Sequence, residues 1–100
     1  MNIPKVDSLE DVRENIDQID QKVIQLLGQQ QFYVKQTARF KKSDNEVKAP
    51  ARVEAIIAKV RILAAENNLD ADIAEAVYRT MIDGFIKKEL KEFQINTIKL

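Results

Sequence analysis

Residues 9–42, LEDVRENIDQIDQKVIQLLGQQQFYVKQTARFKK, decide the fold of this 100-residue chain. Apolar side chains recur there in alternating steps of three and four, at Leu9, Val12, Ile16, Ile19, Val23, Leu26, Tyr33 and Phe40. This heptad spacing predicts one long helix, and we call these residues the apolar seam. Only Gln30 and Thr37 interrupt the seam with polar side chains.

The length of this helix predicts a partner chain. At a rise of 1.5 Å per residue, a helix over residues 9–42 is roughly 50 Å long. A globular chain of this size has a radius of gyration of only about 13 Å. Two shorter helices downstream cannot cover a seam of that length, so we expect a second chain to cover the rest.

The remainder of the chain predicts two further helices. Pro50 suits the first turn of a helix, Asn67 and Asn68 suit the end of one, and Asp70 suits the cap of the next. We expect the segment between Ser43 and Ala49 to be a turn and a short loop. The sequence therefore predicts a single all-α domain over residues 1–100, with helices at about 9–42, 50–66 and 70–94.

Composition excludes several classes of function. Sixteen basic residues balance sixteen acidic ones without a basic block, so a nucleic-acid interface is not expected. The longest charge-free run, Val23 to Val34, is too short to cross a bilayer, and the first residues show no apolar signal segment. Without Cys we expect a cytoplasmic protein. Without Cys or His, a zinc site and a Ser–His relay are excluded, so catalysis would depend on Arg, Lys, Gln and carboxylates.

Three cations are candidates for a binding site. Lys41 has Thr37 and Ala38 one turn before it, and Arg52 has no acidic residue three or four positions away. Arg13 does have acidic residues within reach on the same helix, so a surface ion pair would also explain it. For each cation the alternatives are a solvated surface charge and a ligand contact.

Two further polar residues lie at apolar positions. Glu89 has Phe85, Ile86 and Phe93 as helical neighbours, so it lies in or beside an apolar stripe. A carboxylate there is either half-exposed at the edge of the stripe or held in a site by a cation from elsewhere in the fold. Gln30 lies on the seam, where a polar residue can also fix the register of two paired helices.

In these features the chain resembles the all-helical chorismate mutase family, and within it the bacterial isochorismate-pyruvate lyases. The resemblance covers residues 9–93 and is carried by DVRENIDQID at 11–20, YVK at 33–35, RFK at 39–41, APARV at 49–53 and AENNLD at 65–70. The mutase branch typically has acidic residues flanking the arginine at position 52. Here those positions are Ala49 and Val53, which favours the lyase branch.

The resemblance implies the chorismate mutase type II fold, an intertwined homodimer of three-helix chains. Each of its two active sites draws residues from both long helices. The spacing supports this arrangement, because Arg13 and Lys41 would lie about 42 Å apart along a single helix. A small dicarboxylate could contact both only if one of them comes from an antiparallel partner chain.

The resemblance also implies the chemistry and the residues that perform it. The family catalyses pericyclic reactions, either rearrangement of chorismate to prephenate or loss of pyruvate from isochorismate to give salicylate, and needs no metal or cofactor. By family position, Arg13 of the second chain binds a carboxylate, Lys41 contacts the ether oxygen and a carboxylate, and Arg52 helps to close the site. Glu89 occupies the position of a glutamine that donates to the ether oxygen, so it must be protonated to do the same.

One position departs from the family pattern. Gln30 stands where the family has an arginine that clamps a substrate carboxylate, and a neutral amide lacks both the charge and the bidentate fork. The sequence leaves three functions open. The first is an isochorismate-pyruvate lyase with chorismate mutase side activity, and the second is a chorismate mutase. The third is a dimeric protein of the same fold that binds a ligand without turnover.

Overall fold

A computed structural model describes residues 5–98, with side chains described as far as residue 95. The chain is helical in this range and contains no strand between residues 5 and 98, which confirms the predicted all-α class. The elements are α1 (Leu9–Thr37), a 3-10 helix (Ala38–Phe40), α2 (Asp44–Lys48), α3 (Pro50–Glu66) and α4 (Ala71–Ile98). They form two compact units, one up to Tyr33 and one from Val34 onward. Within the described range, no helix is both long and apolar enough to cross a membrane.

The first unit consists of most of α1. Ser8 caps this helix by accepting a hydrogen bond from the backbone N–H of Asp11 at 3.0 Å, and acidic residues in the first turn favour the positive end of the helix dipole. No residue of α1 is buried. All eight residues of the apolar seam are exposed in the single chain, with Ile19 at 55% and Leu26 at 58%.

The long helix ends earlier than the sequence predicts. We expected it to continue to about Lys42, but α1 ends at Thr37 and a 3-10 turn follows. The Thr37 hydroxyl lies 2.6 Å from the carbonyl oxygen of Val34, and the backbone N–H of Lys41 then bonds the carbonyl of Ala38, three residues back, as in a 3-10 turn. Lys41 then has extended backbone angles, φ −88° and ψ 142°, which end the helical segment.

The segment predicted as a loop contains a short helix. Ser43 accepts a hydrogen bond from the backbone N–H of Glu46 at 3.2 Å, and the Glu46 carboxylate accepts one from the backbone N–H of Lys42. This is close to a capping box, in which a Ser and a Glu three residues apart satisfy the free N–H groups at a helix start. α2 therefore forms over Asp44–Lys48, and Val47 is buried at its centre.

α3 and α4 form the core of the second unit. α3 ends at Glu66 as predicted, and Asn68 takes the left-handed conformation with φ 57°. Asp70 caps α4 by accepting a hydrogen bond from the backbone N–H of Asp72 at 2.8 Å, also as predicted. α4 continues to Ile98, past the predicted end at residue 94. The core consists of Val60, Ala64 and Ala74, with Ile56, Ala71 and Tyr78 packed against it.

An exposed network of ion pairs joins the same two helices. Arg79 binds Glu54 through two hydrogen bonds of 2.8 and 2.9 Å and Glu75 through one of 2.8 Å. Arg61 also contacts Glu75, at 2.9 Å. Hydrogen bonds from Arg79 lower the pKa of Glu54 and of Glu75 below the ordinary value of 4.5.

This network predicts a pH-dependent contribution to stability. A carboxyl group whose pKa is lower in the folded than in the unfolded state stabilises the fold above pH 4.5. This stabilisation is lost as the pH falls through the folded-state pKa. Arg79→Gln should lower the melting temperature modestly at pH 7, because the pairs are exposed. The difference in melting temperature between Arg79→Gln and the parent should shrink steadily below pH 4.5. Lys87→Gln, which removes one isolated ion pair, should have a melting temperature close to that of the parent. A difference that persists unchanged to pH 2 would argue against this origin.

Candidate active site

A buried acid and an ammonium group meet in the second unit. Glu89 on α4 is 4% exposed and is the one charged side chain buried between residues 5 and 95. Its Oε1 atom lies 3.5 Å from the Nζ atom of Lys41. Of the two alternatives that the sequence left for Glu89, the structure shows the second, a carboxyl group that faces a cation from another element.

A third side chain contacts the same carboxyl oxygen. The Oγ1 atom of Thr37, the last residue of α1, lies 2.5 Å from Oε1 of Glu89. Both described contacts of the Glu89 carboxyl group therefore involve Oε1. Sequence reasoning treated Thr37 only as an interruption of the seam and missed this contact. The available signal was its position one turn before Lys41.

Local structure holds the Lys41 side chain in place. Its ammonium donates a hydrogen bond to the backbone carbonyl of Glu46 in α2 at 2.9 Å. The side chain of Lys41 is 25% exposed, so the charge is partly accessible to a ligand. The short helix that the sequence analysis predicted as a loop is thus one of the elements that orient the cation.

The other predicted site residues occupy exposed positions on α1 and α3. Arg52 lies in the first turn of α3, is exposed, and forms no ion pair with a residue that the structure describes. Arg13 and Gln30 are exposed on α1 in the first unit. Arg13 likewise has no ion pair among the described residues, so the surface pair considered above does not form. Within the second unit, the structure brings together Lys41 and Glu89.

The chemistry of this pair is electrostatic. An ammonium and a carboxyl group beside it can bind and stabilise an oxygen on which negative charge develops, provided that the carboxyl group carries a proton. These features define an all-helical protein with a polar site where the last residues of its long helix meet the final helix.

The chain belongs to the chorismate mutase type II family, whose sequence pattern matches residues 12–90. It is 40% identical over 83 residues to an isochorismate pyruvate lyase of Pseudomonas aeruginosa, a match that covers 83% of this chain and 82% of that protein. It is 27% identical over 93 residues to a chorismate mutase of Methanocaldococcus jannaschii, covering 89% of this chain and 94% of the relative. The chain therefore belongs to a family of enzymes that act on small-molecule substrates.

Proposed function

We propose that this protein is an isochorismate-pyruvate lyase that releases salicylate, with chorismate mutase as a side activity. The observation that carries the proposal is the placement of Lys41 beside the buried Glu89, 3.5 Å apart. Arg52 supports the lyase branch, because the residues at the flanking family positions are Ala49 and Val53 and not acids. The 40% identity to the isochorismate pyruvate lyase of P. aeruginosa favours the same branch.

The reaction requires positioning and charge stabilisation. One ring hydrogen moves to the methylene carbon of the enolpyruvyl group while the ether C–O bond breaks, which yields an aromatic ring and the methyl group of pyruvate. Negative charge builds on the ether oxygen in the transition state, and the Lys41 ammonium stabilises it. A protonated Glu89 donates to the same oxygen, whereas an ionised Glu89 would repel the dianionic substrate.

We further propose that two copies pair through α1 in an intertwined, antiparallel dimer. Every residue of the apolar seam is exposed in the single chain. Full burial of a Val, Leu or Ile side chain contributes about 1.5–3 kcal/mol, and covering the exposed part of each seam residue contributes a fraction of that. In this dimer Arg13 of one copy and Lys41 of the other contribute to the same active site.

Gln30 favours a second candidate function, a dimeric protein that binds its ligand without turnover. An arginine at this position would supply a charge-assisted, bidentate contact to a substrate carboxylate, and the amide of Gln30 cannot. On this account, Lys41 and Glu89 would recognise a dicarboxylate but not accelerate a reaction.

The test is to incubate the purified protein separately with isochorismate and with chorismate, recording salicylate and prephenate. The proposed function predicts salicylate as the main product, formed with a higher kcat/KM than prephenate. Formation of prephenate alone would identify a chorismate mutase. Turnover of neither substrate would leave the binding protein as the remaining function.

Restoring the family arginine should strengthen substrate binding. We expect Gln30→Arg to lower KM for isochorismate about tenfold, because a hydrogen bond to a charged group contributes about 1.5–3 kcal/mol. Gln29→Arg is the matched control, since it adds the same charge at the adjacent exposed position of α1. Steady-state kinetics on both variants checks the prediction. An equal fall in KM for the two would indicate a general electrostatic effect.

A further inference from the structure

Thr37 is placed to control which oxygen of Glu89 meets the substrate. We propose that Thr37 is a positioning residue, which fixes the Glu89 carboxyl group so that Oε1 accepts the Thr37 hydrogen bond while Oε2 faces the ligand. This inference rests on the proposed function, in which Glu89 donates to the ether oxygen. It adds a residue that neither the sequence pattern nor the resemblance singled out for the site.

The Thr37 hydroxyl has a single hydrogen and two acceptors within reach. Oγ1 lies 2.6 Å from the Val34 carbonyl oxygen and 2.5 Å from Oε1 of Glu89, and one hydroxyl can donate to only one of them at full strength. The Glu89 side chain is 4% exposed, so its oxygens depend on protein donors more than on water. Leaving this buried carboxyl oxygen with only the more distant Lys41 ammonium costs more than weakening one bond to a backbone carbonyl. The hydrogen therefore goes to Glu89.

Thr37 and Lys41 both lie near Oε1 of Glu89, at different distances. The Lys41 ammonium has its short hydrogen bond elsewhere, to the Glu46 carbonyl at 2.9 Å, and lies 3.5 Å from Oε1. Thr37 is the closer donor by about 1 Å. It is also short and branched at Cβ, which restricts its rotamers more than those of a lysine. Thr37 therefore sets the orientation of the carboxyl group, and Lys41 supplies the charge.

The surroundings of Oε1 decide where a proton on Glu89 would lie. Thr37 donates to Oε1 and the Lys41 ammonium lies 3.5 Å from it, so a proton bound to the same oxygen would face their hydrogens. A proton on the Glu89 carboxyl group is therefore carried by Oε2, the oxygen that contacts neither Thr37 nor Lys41. Without the Thr37 hydroxyl, the carboxyl group can rotate about its last bond, and the proton is no longer held toward the ether oxygen.

Two substitutions of Thr37 separate positioning from packing. Thr37→Val keeps the shape of the side chain and removes the hydroxyl, whereas Thr37→Ser keeps the hydroxyl and removes a methyl group. We expect Thr37→Val to lower kcat about tenfold, which corresponds to about 1.4 kcal/mol in the barrier, with KM within about twofold of the parent. Thr37→Ser should retain a kcat close to that of the parent. A role in packing alone would give the reverse order.

A second readout does not require turnover. The 13Cδ resonance of Glu89, recorded in labelled protein at a fixed pH, should move in Thr37→Val and stay near its parent position in Thr37→Ser. If the parent converts neither isochorismate nor chorismate, the proposed function fails, and this resonance alone decides whether Thr37 orients Glu89. Thr37→Val with the kcat of the parent and an unmoved resonance would overturn the inference. If the parent has no turnover, a Glu89 resonance at the same position in Thr37→Val and in the parent would overturn the inference as well.

Discussion

Replacing Lys41 by alanine is expected to lower kcat by about two orders of magnitude or more, the amount that a group stabilising developing charge typically contributes. The ammonium lies 3.5 Å from Glu89 and is the charge that the proposed mechanism places at the ether oxygen. The fold should survive, because Lys41 lies outside α1 and α2, its side chain is 25% exposed, and Thr37 still donates to the buried carboxyl group. Steady-state kinetics and thermal melting measure the two effects.

Lys42 provides the matched control. It is exposed and adjacent, and its described contact to Glu46 is made through the backbone N–H, which an alanine keeps. Lys42→Ala should therefore show the kcat and the melting temperature of the parent. A Lys41→Ala variant that retains near-parental kcat would show that the ammonium does not stabilise the transition state.

Placing a charge in the apolar seam is expected to abolish both the dimer and the activity. Ile19 lies in the seam of α1 and is 55% exposed in the single chain. In the Ile19→Lys variant, a partner chain that covers this position would have to remove a lysine from water. Burying an unpaired charge costs far more than one apolar contact contributes. Sedimentation should show about twice the chain mass of 11.5 kDa for the parent and the single-chain mass for the variant.

Gln18→Lys is the control for this change. It introduces the same side chain one residue earlier, at an exposed position outside the heptad seam. This variant should sediment as the parent does and retain its activity. A parent that is a well-folded monomer, or an Ile19→Lys variant that remains dimeric, would contradict the proposed pairing through α1.

The features that the sequence predicted correctly depend on local signals. Asn68 takes the left-handed position after α3, and Asp70 caps α4, as their positions in the sequence indicated. Each is a contact between residues a few positions apart, so the pattern of residue types determines it. The heptad period of α1 is local in the same sense.

The end of α1 could not be predicted in this way. Heptad spacing continues to Phe40, but the helix gives way to a 3-10 turn at Ala38 and the backbone of Lys41 is extended, changes that leave no mark in the apolar pattern. The Ser43–Glu46 pair that begins α2 was present in the sequence as a capping box. The helix that Ser43 caps has only five residues, too few for a periodic apolar pattern to reveal it.

The candidate site was predictable only in part. An acid among apolar neighbours marked Glu89, and the lack of an acid one turn before it marked Lys41, but their approach depends on how α4 packs against the segment after α1. Thr37 was visible in the sequence only as a polar residue on the seam one turn before Lys41, and its partner lies 52 positions away. Arg13 and Gln30 lie in the other unit, so their roles stay predictions.

The measurement that tests the shared active site most directly uses mixed dimers of Arg13→Ala and Lys41→Ala. Each variant alone should be nearly inactive toward isochorismate. When the two are unfolded and refolded together in equal amounts, about half of the dimers should be mixed, each with one intact site of two, which restores about one quarter of the parent activity. Activity no higher than that of the separate variants would mean that each site is built within one chain, and would contradict the account.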